Sequence, residues 1–355
     1  NVSVRHSGLG AVAEGLEGHI GLGSGGLNVS RLRGEICGVK VSADGNVQVG
    51  EEVGMDLRFR ADRTRITSGL KERCPAPVAD MLDKLEAGGQ FEAHGTVSYP
   101  AEGSEGLAMS VDIPFYDMEL DEDEAPLRGS GRLHLDFPAL TAEEQDFTGD
   151  IRFDSLQVAG VGIESGSATL RRRGQEVRLT DGRFAVYNGY VDVPEATVKL
   201  QDRSWNTSAK LSYLELEPLL VALGMEGQRV PSGVVRGDVS LEGTGLTTKA
   251  LSGEGELRVS RGRLYDLPIM LSVFNVLDLR IPRGEPVTRA YGSFRIAEQK
   301  LHLEDLLLAG SAVPVYVTGE VGLEQEKALK KQDINLLFSV VNREGLVLVP
   351  GPRLQ

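Results

Sequence analysis

One short pattern, Gly-x-φ-x-φ with φ apolar, recurs along the whole of this 355-residue chain and constrains its fold more than any other feature. It stands at Gly45–Val49, Gly95–Tyr99, Gly131–Leu135, Gly149–Phe153, Gly166–Leu170, Gly237–Leu241, Gly255–Val259, Gly292–Ile296 and Gly319–Leu323. The intervening positions are mostly polar. Alternation of period two gives a strand one apolar and one wet face. Many of these runs lead through turn residues into a second alternating run. Leu179–Val186, with Asp181-Gly182 inside it, reads as a hairpin joint, as do Val259–Leu264 and Ile296–Leu303. The expected fold is mainly β: a meander of antiparallel hairpins that all offer apolar residues to one side.

A sheet of roughly 20 such strands, about 4.8 Å apart, would be about 95 Å long. Open twisted sheets rarely exceed about 10 strands without curling or splitting. A sheet curled along its length around its apolar face satisfies both limits, and two sandwiches in tandem are the alternative. Gly at 44 residues and aromatics at 5% suit many short strands and tight turns.

Three short helices are expected. One lies near 75–87, where Pro75 precedes Val78, Met81, Leu82 and Leu85 at helical spacing and Gly88-Gly89 follows. A second spans 217–223, with Pro218 near its start. The third, near 266–279, is apolar nearly all round through Leu267, Met270, Phe274 and Leu277. A helix of that kind is buried or in lipid. It is too short to span a bilayer, so it would be a core helix, a plug or gate in the sheet, a cover over an edge, or a segment dipping into a membrane interface. No convincing linker appears. A soft boundary near Ala139–Asp146, where Pro138 and a short acidic stretch interrupt the strands, divides the chain into 1–140, the N-terminal portion of the β-groove, and 141–355.

The net charge of −14 argues against a nucleic-acid partner and against simple docking on an anionic membrane. Arg171-Arg172-Arg173 reads as a solvated strand face. Cys37 and Cys74 lie in no C-x-x-C motif, and both readings stay open, free core thiols or one disulfide. No signal peptide begins the chain and no apolar run reaches the ~20 residues of a membrane helix, so the targeting segment and the anchor are expected outside it.

Catalytic signatures are missing. Gly21–Gly26 matches G-x-G-x-x-G by letter, but a strand-like run follows it instead of a helix. No G-x-S-x-G frame occurs. The five histidines are scattered. His134 with Asp136, and His302 with Glu304, read as solvent-facing strand pairs. The acidic run Asp121–Glu124 lacks the alternating ligands and Gly of a calcium loop and reads as a surface hairpin loop. With one Trp, Trp205, there is little material for sugar stacking. No enzyme activity, cofactor or metal is expected.

From about Glu143 to Val341 the chain resembles the C-terminal region of the AsmA-like bacterial envelope proteins, relatives of the TamB/YhdP-type bridge-like lipid transporters. The resemblance rests on Phe147–Leu156, Leu179–Tyr190, Leu214–Leu220, Leu251–Leu264, the apolar helix and Leu301–Leu308. Residues 30–140 fit more loosely, with Leu82–Thr96, a helix ending in Gly-Gly before a strand, also family-like. The resemblance implies an elongated, U-shaped β-groove, an inner-membrane anchor elsewhere, a periplasmic place, and a role in phospholipid transport or outer-membrane biogenesis. It implies no catalytic residues. Leu133, Ile151, Phe153, Phe184, Val239, Leu257, Phe294, Leu301 and Val321 are the expected lining of a groove for phospholipid acyl chains. Other envelope proteins are further candidate partners. A structural scaffold or assembly factor with a closed β core is the alternative, and a carbohydrate-active β-solenoid would show clustered carboxylates and aromatics.

Overall fold

The computed structural model describes residues 2–5, 12–23, 26–49, 53–74, 79–80, 82–83, 86–100, 106–122, 125–140, 146–158, 160–222, 225, 230–245, 248–264, 287–310, 314–323, 334–342 and 345–350. They form two compact units, Asn1–Val158 with Ser165–Leu179, and Ala159–Glu164 with Thr180–Gln355.

The first unit is an antiparallel meander of β1 (Val2–Arg5), β2 (Val12–Gly23), β3 (Gly26–Ile36), β4 (Val39–Gln48), β5 (Gly54–Arg65), β6 (Gly88–Tyr99), β7 (Leu107–Glu122), β8 (Ala125–Leu140) and β9 (Phe147–Val158). The short strand β10 (Val161–Ile163) belongs to the second unit, while β11 (Ser165–Arg173) returns to pair with β9. β12 (Glu176–Val186) runs through the division. The second unit continues with β13 (Gly189–Lys199), β14 (Ser204–Glu215), β15 (Ser232–Thr244), β16 (Ser252–Arg263), β17 (Arg289–Ala297), β18 (Lys300–Ala309), β19 (Val315–Gly322), β20 (Ile334–Asn342) and β21 (Gly345–Pro350). Each pairs antiparallel with the next. The mainly β, antiparallel fold expected from the alternation is the fold observed, and the sheet is not closed.

Two of the three joints read as hairpins are not turns. Asp181 lies inside β12 and Arg261 inside β16, each with positive φ (54° and 53°). One left-handed residue between paired flanks makes a bulge that bends a strand, whereas a type I′ reversal has two in succession. The third joint is a reversal, with Glu298 at φ 53° and Gln299 at φ 58°. Tyr187-Asn188 and Cys37-Gly38 form turns of the same kind.

Helix α1 (Ser68–Lys71) lies in the β5–β6 connection, ahead of the helix expected near 75–87. Thr67 caps it, its hydroxyl accepting from the Leu70 N–H at 3.3 Å. Of the expected helix, Ala79, Asp80, Leu82 and Asp83 are helical, Glu86 (φ 44°) and Ala87 are not, and the rest lies outside the described residues. Helix α2 (Leu216–Ala222) matches the second expectation. The apolar segment 266–279, with Leu267, Met270, Phe274 and Leu277, lies outside the described residues.

The recurrent glycines are explained by space. A Cβ on Gly95 would collide with the Ser110 carbonyl oxygen, and one on Gly237 with that of Glu256. Both glycines sit in rows of apolar residues, so the crowding is on the apolar side. That is the geometry of a sheet bent toward that side.

Candidate functional site

Because side chains alternate and the register is continuous, each apolar face consists of rows running across the strands. In the first unit one row is Leu32, Ala43, Phe59, Gly95, Val111, Leu135, Gly149 and Leu170, from β3 to β9 and on to β11. The opposite face has the row Glu17, Arg33, Ser42, Arg60, His94, Asp112, His134, Asp150 and Thr169. In the second unit Val191, Leu211, Gly237, Leu257, Gly292, Leu306 and Val317 form an apolar row from β13 to β19. Its polar counterpart is Glu195, Ser208, Ser240, Glu254, Arg295, His302, Glu320 and Asn335.

The nine expected lining residues fall on these apolar faces, divided between the units. Leu133 pairs with Ile151, and Phe153 meets Phe115 edge-on at 6.1 Å in the first unit. In the second unit Val239, Gly255, Phe294 and Leu303 share a row, Leu301 pairs with Val321, and Phe184 and Leu257 pack in one cluster. All nine are half-buried. So are Phe59, Phe91, Phe115, Phe137 and Phe147. Large apolar side chains are ordinarily among the most buried. Here the side chains most completely buried among the described residues are Val287, Val317 and Pro231. The phenylalanines therefore lie on apolar faces that their own units leave partly open.

Each face is covered locally. In the first unit Ile66, Leu70, Cys74 and Leu82 of the β5–β6 connection pack over Val39, Val41, Ala61, Phe91 and Ala93. Alternation alone did not mark this cover, although Thr67 three residues before Leu70 is a capping signal. In the second unit Val161 and Ile163 of β10 and Leu216 of α2 pack with Val186, Leu214 and Val235. The Tyr187 hydroxyl accepts from the Gly162 N–H at 3.0 Å and fixes that cover.

The polar faces are laced by cross-strand ion pairs. Glu119 and Arg128 are 2.8 Å apart, Arg295 and Glu304 3.1 Å, and Lys300 and Glu320 2.8 Å. His302 lies 3.4 Å from Glu320, so the expected His302–Glu304 pair is divided between other partners. His134 lies 3.2 Å from both Asp112 and Asp136. Partial burial pushes its imidazole down, but the two carboxylates outweigh this and raise its pKa. The polar face of the second unit also bears an unexpected row, Arg236, Arg258, Tyr291, Leu307 and Tyr316. Arg236 lies 3.7 Å over the Tyr213 ring. A hollow of about 730 Å³ in the second unit is lined mainly by polar-face residues, among them Glu195, Ser208, Glu254 and Arg295. Among the described residues no group of His, Cys, Asp and Glu could hold a metal ion, and no helix is long and apolar enough to cross a membrane.

Residues 53–241, more than half of the chain, match the YdbH-like family, described as intermembrane phospholipid transport protein YdbH. The chain belongs to the YdbH-like family. This is a lipid-transport family and not an enzyme family. The match supports the bridge-like kind of lipid-transport family that the AsmA-like resemblance implies, and does not single out the AsmA-like or TamB proteins. The YdbH-like match runs from just before β5 into β15, and so takes in strands of both units. Curated proteins and solved structures gave no match to the chain.

Proposed function

We propose that the apolar faces of the two units hold phospholipid acyl chains while the head groups stay in water, and that lipid moves along them between the inner and outer membranes. One observation supports this reading above the others: an apolar row runs from β13 to β19, with large side chains in and beside it left half-buried, in a member of a phospholipid-transport family. Burying a methylene contributes about 0.8 kcal/mol, so a dozen would contribute on the order of 10 kcal/mol. A row perpendicular to the strands offers an apolar side chain or a glycine every ~4.8 Å. A bound chain can shift by one strand and meet the same kind of contact, which keeps the path smooth.

The lining would be Leu133, Ile151 and Phe153 in the first unit, and Phe184, Val239, Leu257, Phe294, Leu301 and Val321 in the second. The segment holding Leu267, Met270, Phe274 and Leu277 would be the plug or gate. The protein would work in the periplasm without catalytic residues, anchored to the inner membrane by a segment outside this chain. It would serve outer-membrane biogenesis alongside other envelope proteins, as the AsmA-like resemblance implies.

Native mass spectrometry with lipid extraction, on protein purified from bacterial membranes in mild detergent, tests the proposal. Phospholipid should co-purify, and Phe184→Asp with Phe294→Asp should remove it while leaving a folded, soluble protein. Unchanged lipid in those variants, or none taken up from phospholipid vesicles by the unaltered protein, would favour a scaffold with a closed core.

A further inference from the structure

We propose that Cys37 and Cys74 form a disulfide that staples the β5–β6 connection onto the apolar face of the first unit. They are the only two cysteines of the chain, 37 positions apart. Both are free thiols in the structure, and the fold nevertheless brings their surroundings together, Cys74 packing against Val39, two residues after Cys37. Cys37 occupies the tight β3–β4 turn at φ 55°, followed by Gly38 at φ 80°. Cys74 follows α1, its N–H bonded to the carbonyls of Leu70 and Lys71. The contact extends to their neighbours. A Cβ on Gly38 would come within 2.9 Å of the Arg73 guanidinium, so turn and connection touch along two successive residues. Cys74 packs with Val39, Ala61 and Leu70, the cluster that covers the apolar face. Lys71 ties the connection to itself, donating to the Leu82 carbonyl at 3.1 Å and pairing with Asp83 at 3.2 Å. The staple would thus fix a small, already folded cover.

The chemistry is thiol–disulfide exchange, and it rests on the envelope placement proposed above, where such bonds persist. The Cys74 thiol is pushed up to about 11, first by burial and then by Cys37 beside it. It is therefore the poorer first nucleophile, and that role falls to Cys37 on its turn. The Cys37 thiolate attacks a disulfide oxidant, either a dithiol oxidase or a small-molecule disulfide. A mixed disulfide forms and one oxidant sulfur leaves as thiolate. Cys74 then loses its proton to water and attacks the Cys37 sulfur, expelling the second oxidant sulfur. The two thiols give up two electrons and two protons, and the oxidant gains them.

Peptide mapping without reduction tests this, on full-length protein purified from its own membranes and acid-quenched with an alkylating agent. The expected result is a single species joining the Cys37 and Cys74 peptides, lighter than their sum by two hydrogens. Reduction should then lower the unfolding midpoint of the first unit by ~10 °C, the scale expected for closing a loop of this length, and leave a Cys37→Ser, Cys74→Ser variant unchanged. It should also speed backbone hydrogen exchange at Val39, Val41, Ala61 and Ala93. Two alkylated thiols in the quenched protein, or a reductant effect equal in the double variant, would overturn the staple. Co-purified lipid, measured on the same sample, tests the lipid reading separately, so either can fail while the other stands.

Discussion

The two units share one building scheme and differ in what lies over the apolar face. In the first, the β5–β6 connection sits on Val39, Val41, Ala61 and Ala93, small or β-branched side chains that leave room for Leu70, and on Phe91 beside them. In the second, the row Leu214, Val235, Val259, Ala290, Leu308 and Val315 includes several of the most buried side chains, with Leu214, Val235, Leu308 and Val315 each 3% exposed. Leu257 and Phe294 in the neighbouring rows stay half-buried, although Val317 at the end of the Leu257 row is 2% exposed. The difference teaches that depth within a face, not residue size, separates structural from candidate lining positions. Side chains that are fully packed over serve as core whatever their size, from Ala61 to Leu214, and those left half-buried, such as Phe294, remain available to a ligand.

That division can be broken most directly by truncation. Leu214→Ala should lower the unfolding free energy of the second unit by about 2–5 kcal/mol, the range for a leucine removed from a packed core. Phe294→Ala should cost less than Leu214→Ala despite its larger side chain, because Phe294 already meets solvent. Lipid retention should follow the reverse order, lost in the Phe294 variant and kept in any folded Leu214 variant. Denaturant unfolding together with lipid extraction reads both, and equal stability losses would erase the distinction between the rows.

Glycine positions sharpen the comparison at a smaller scale. Gly95 in the first unit and Gly237 in the second lie where a Cβ meets the carbonyl oxygen of the next strand, whereas Gly21 in β2 has nothing within 4 Å. Gly95→Val and Gly237→Val should each destabilise by about 1–3 kcal/mol, as overpacked sites do. Gly21→Val should be nearly neutral. If all three behaved alike in thermal unfolding, the glycines would be marking strand propensity rather than a bend toward the apolar face.

Much of this was legible in the sequence, because alternation of period two is a local signal. Gly237 to Leu241 shows which side chains face together without any knowledge of the neighbouring strand. The fold class and the shared face of Val239 with Leu241 follow from it. Bulges were not legible. Asp181-Gly182 has the composition of a hairpin turn, yet β12 passes through it, since only pairing on both flanks decides between reversing and bending. Helix α1 escaped because four residues are too few for periodicity to register. The meeting of Cys37 with Cys74 depends on the path of the whole β5–β6 connection, and spacing alone left it open. The Tyr291 and Tyr316 row on the polar face escaped because each tyrosine occupies an ordinary polar slot of its own strand.

The smallest expected effect separates the polar faces by pH. In the first unit His134 faces Asp112, Asp136 and, across the strand pair, Asp150, with His94 3.8 Å from Asp112. Its pKa is raised in the folded state. The stability it contributes is therefore fully present below the unfolded value near 6.5 and is lost as pH rises through the folded value. In the second unit Lys300 is raised and Glu320 lowered, each first through their mutual hydrogen bond. The Glu320 contribution is present above the unfolded carboxylate value and fades only as pH falls through the folded one. The Lys300 contribution is lost only near its own alkaline range. Neither changes between pH 6 and 8. Over that window the His134 contribution should fall by about 0.5 kcal/mol, small because the side chain is one-third exposed and the pairs are screened. Hydrogen exchange resolved by unit should show a decline in β7–β8 protection free energy from pH 6 to 8, after correction for the intrinsic exchange rate. That decline should be absent in His134→Gln. A matching decline in β17–β19, or one that survives in His134→Gln, would mean that pH sensitivity does not reside in this histidine and that the two polar faces are electrostatically alike.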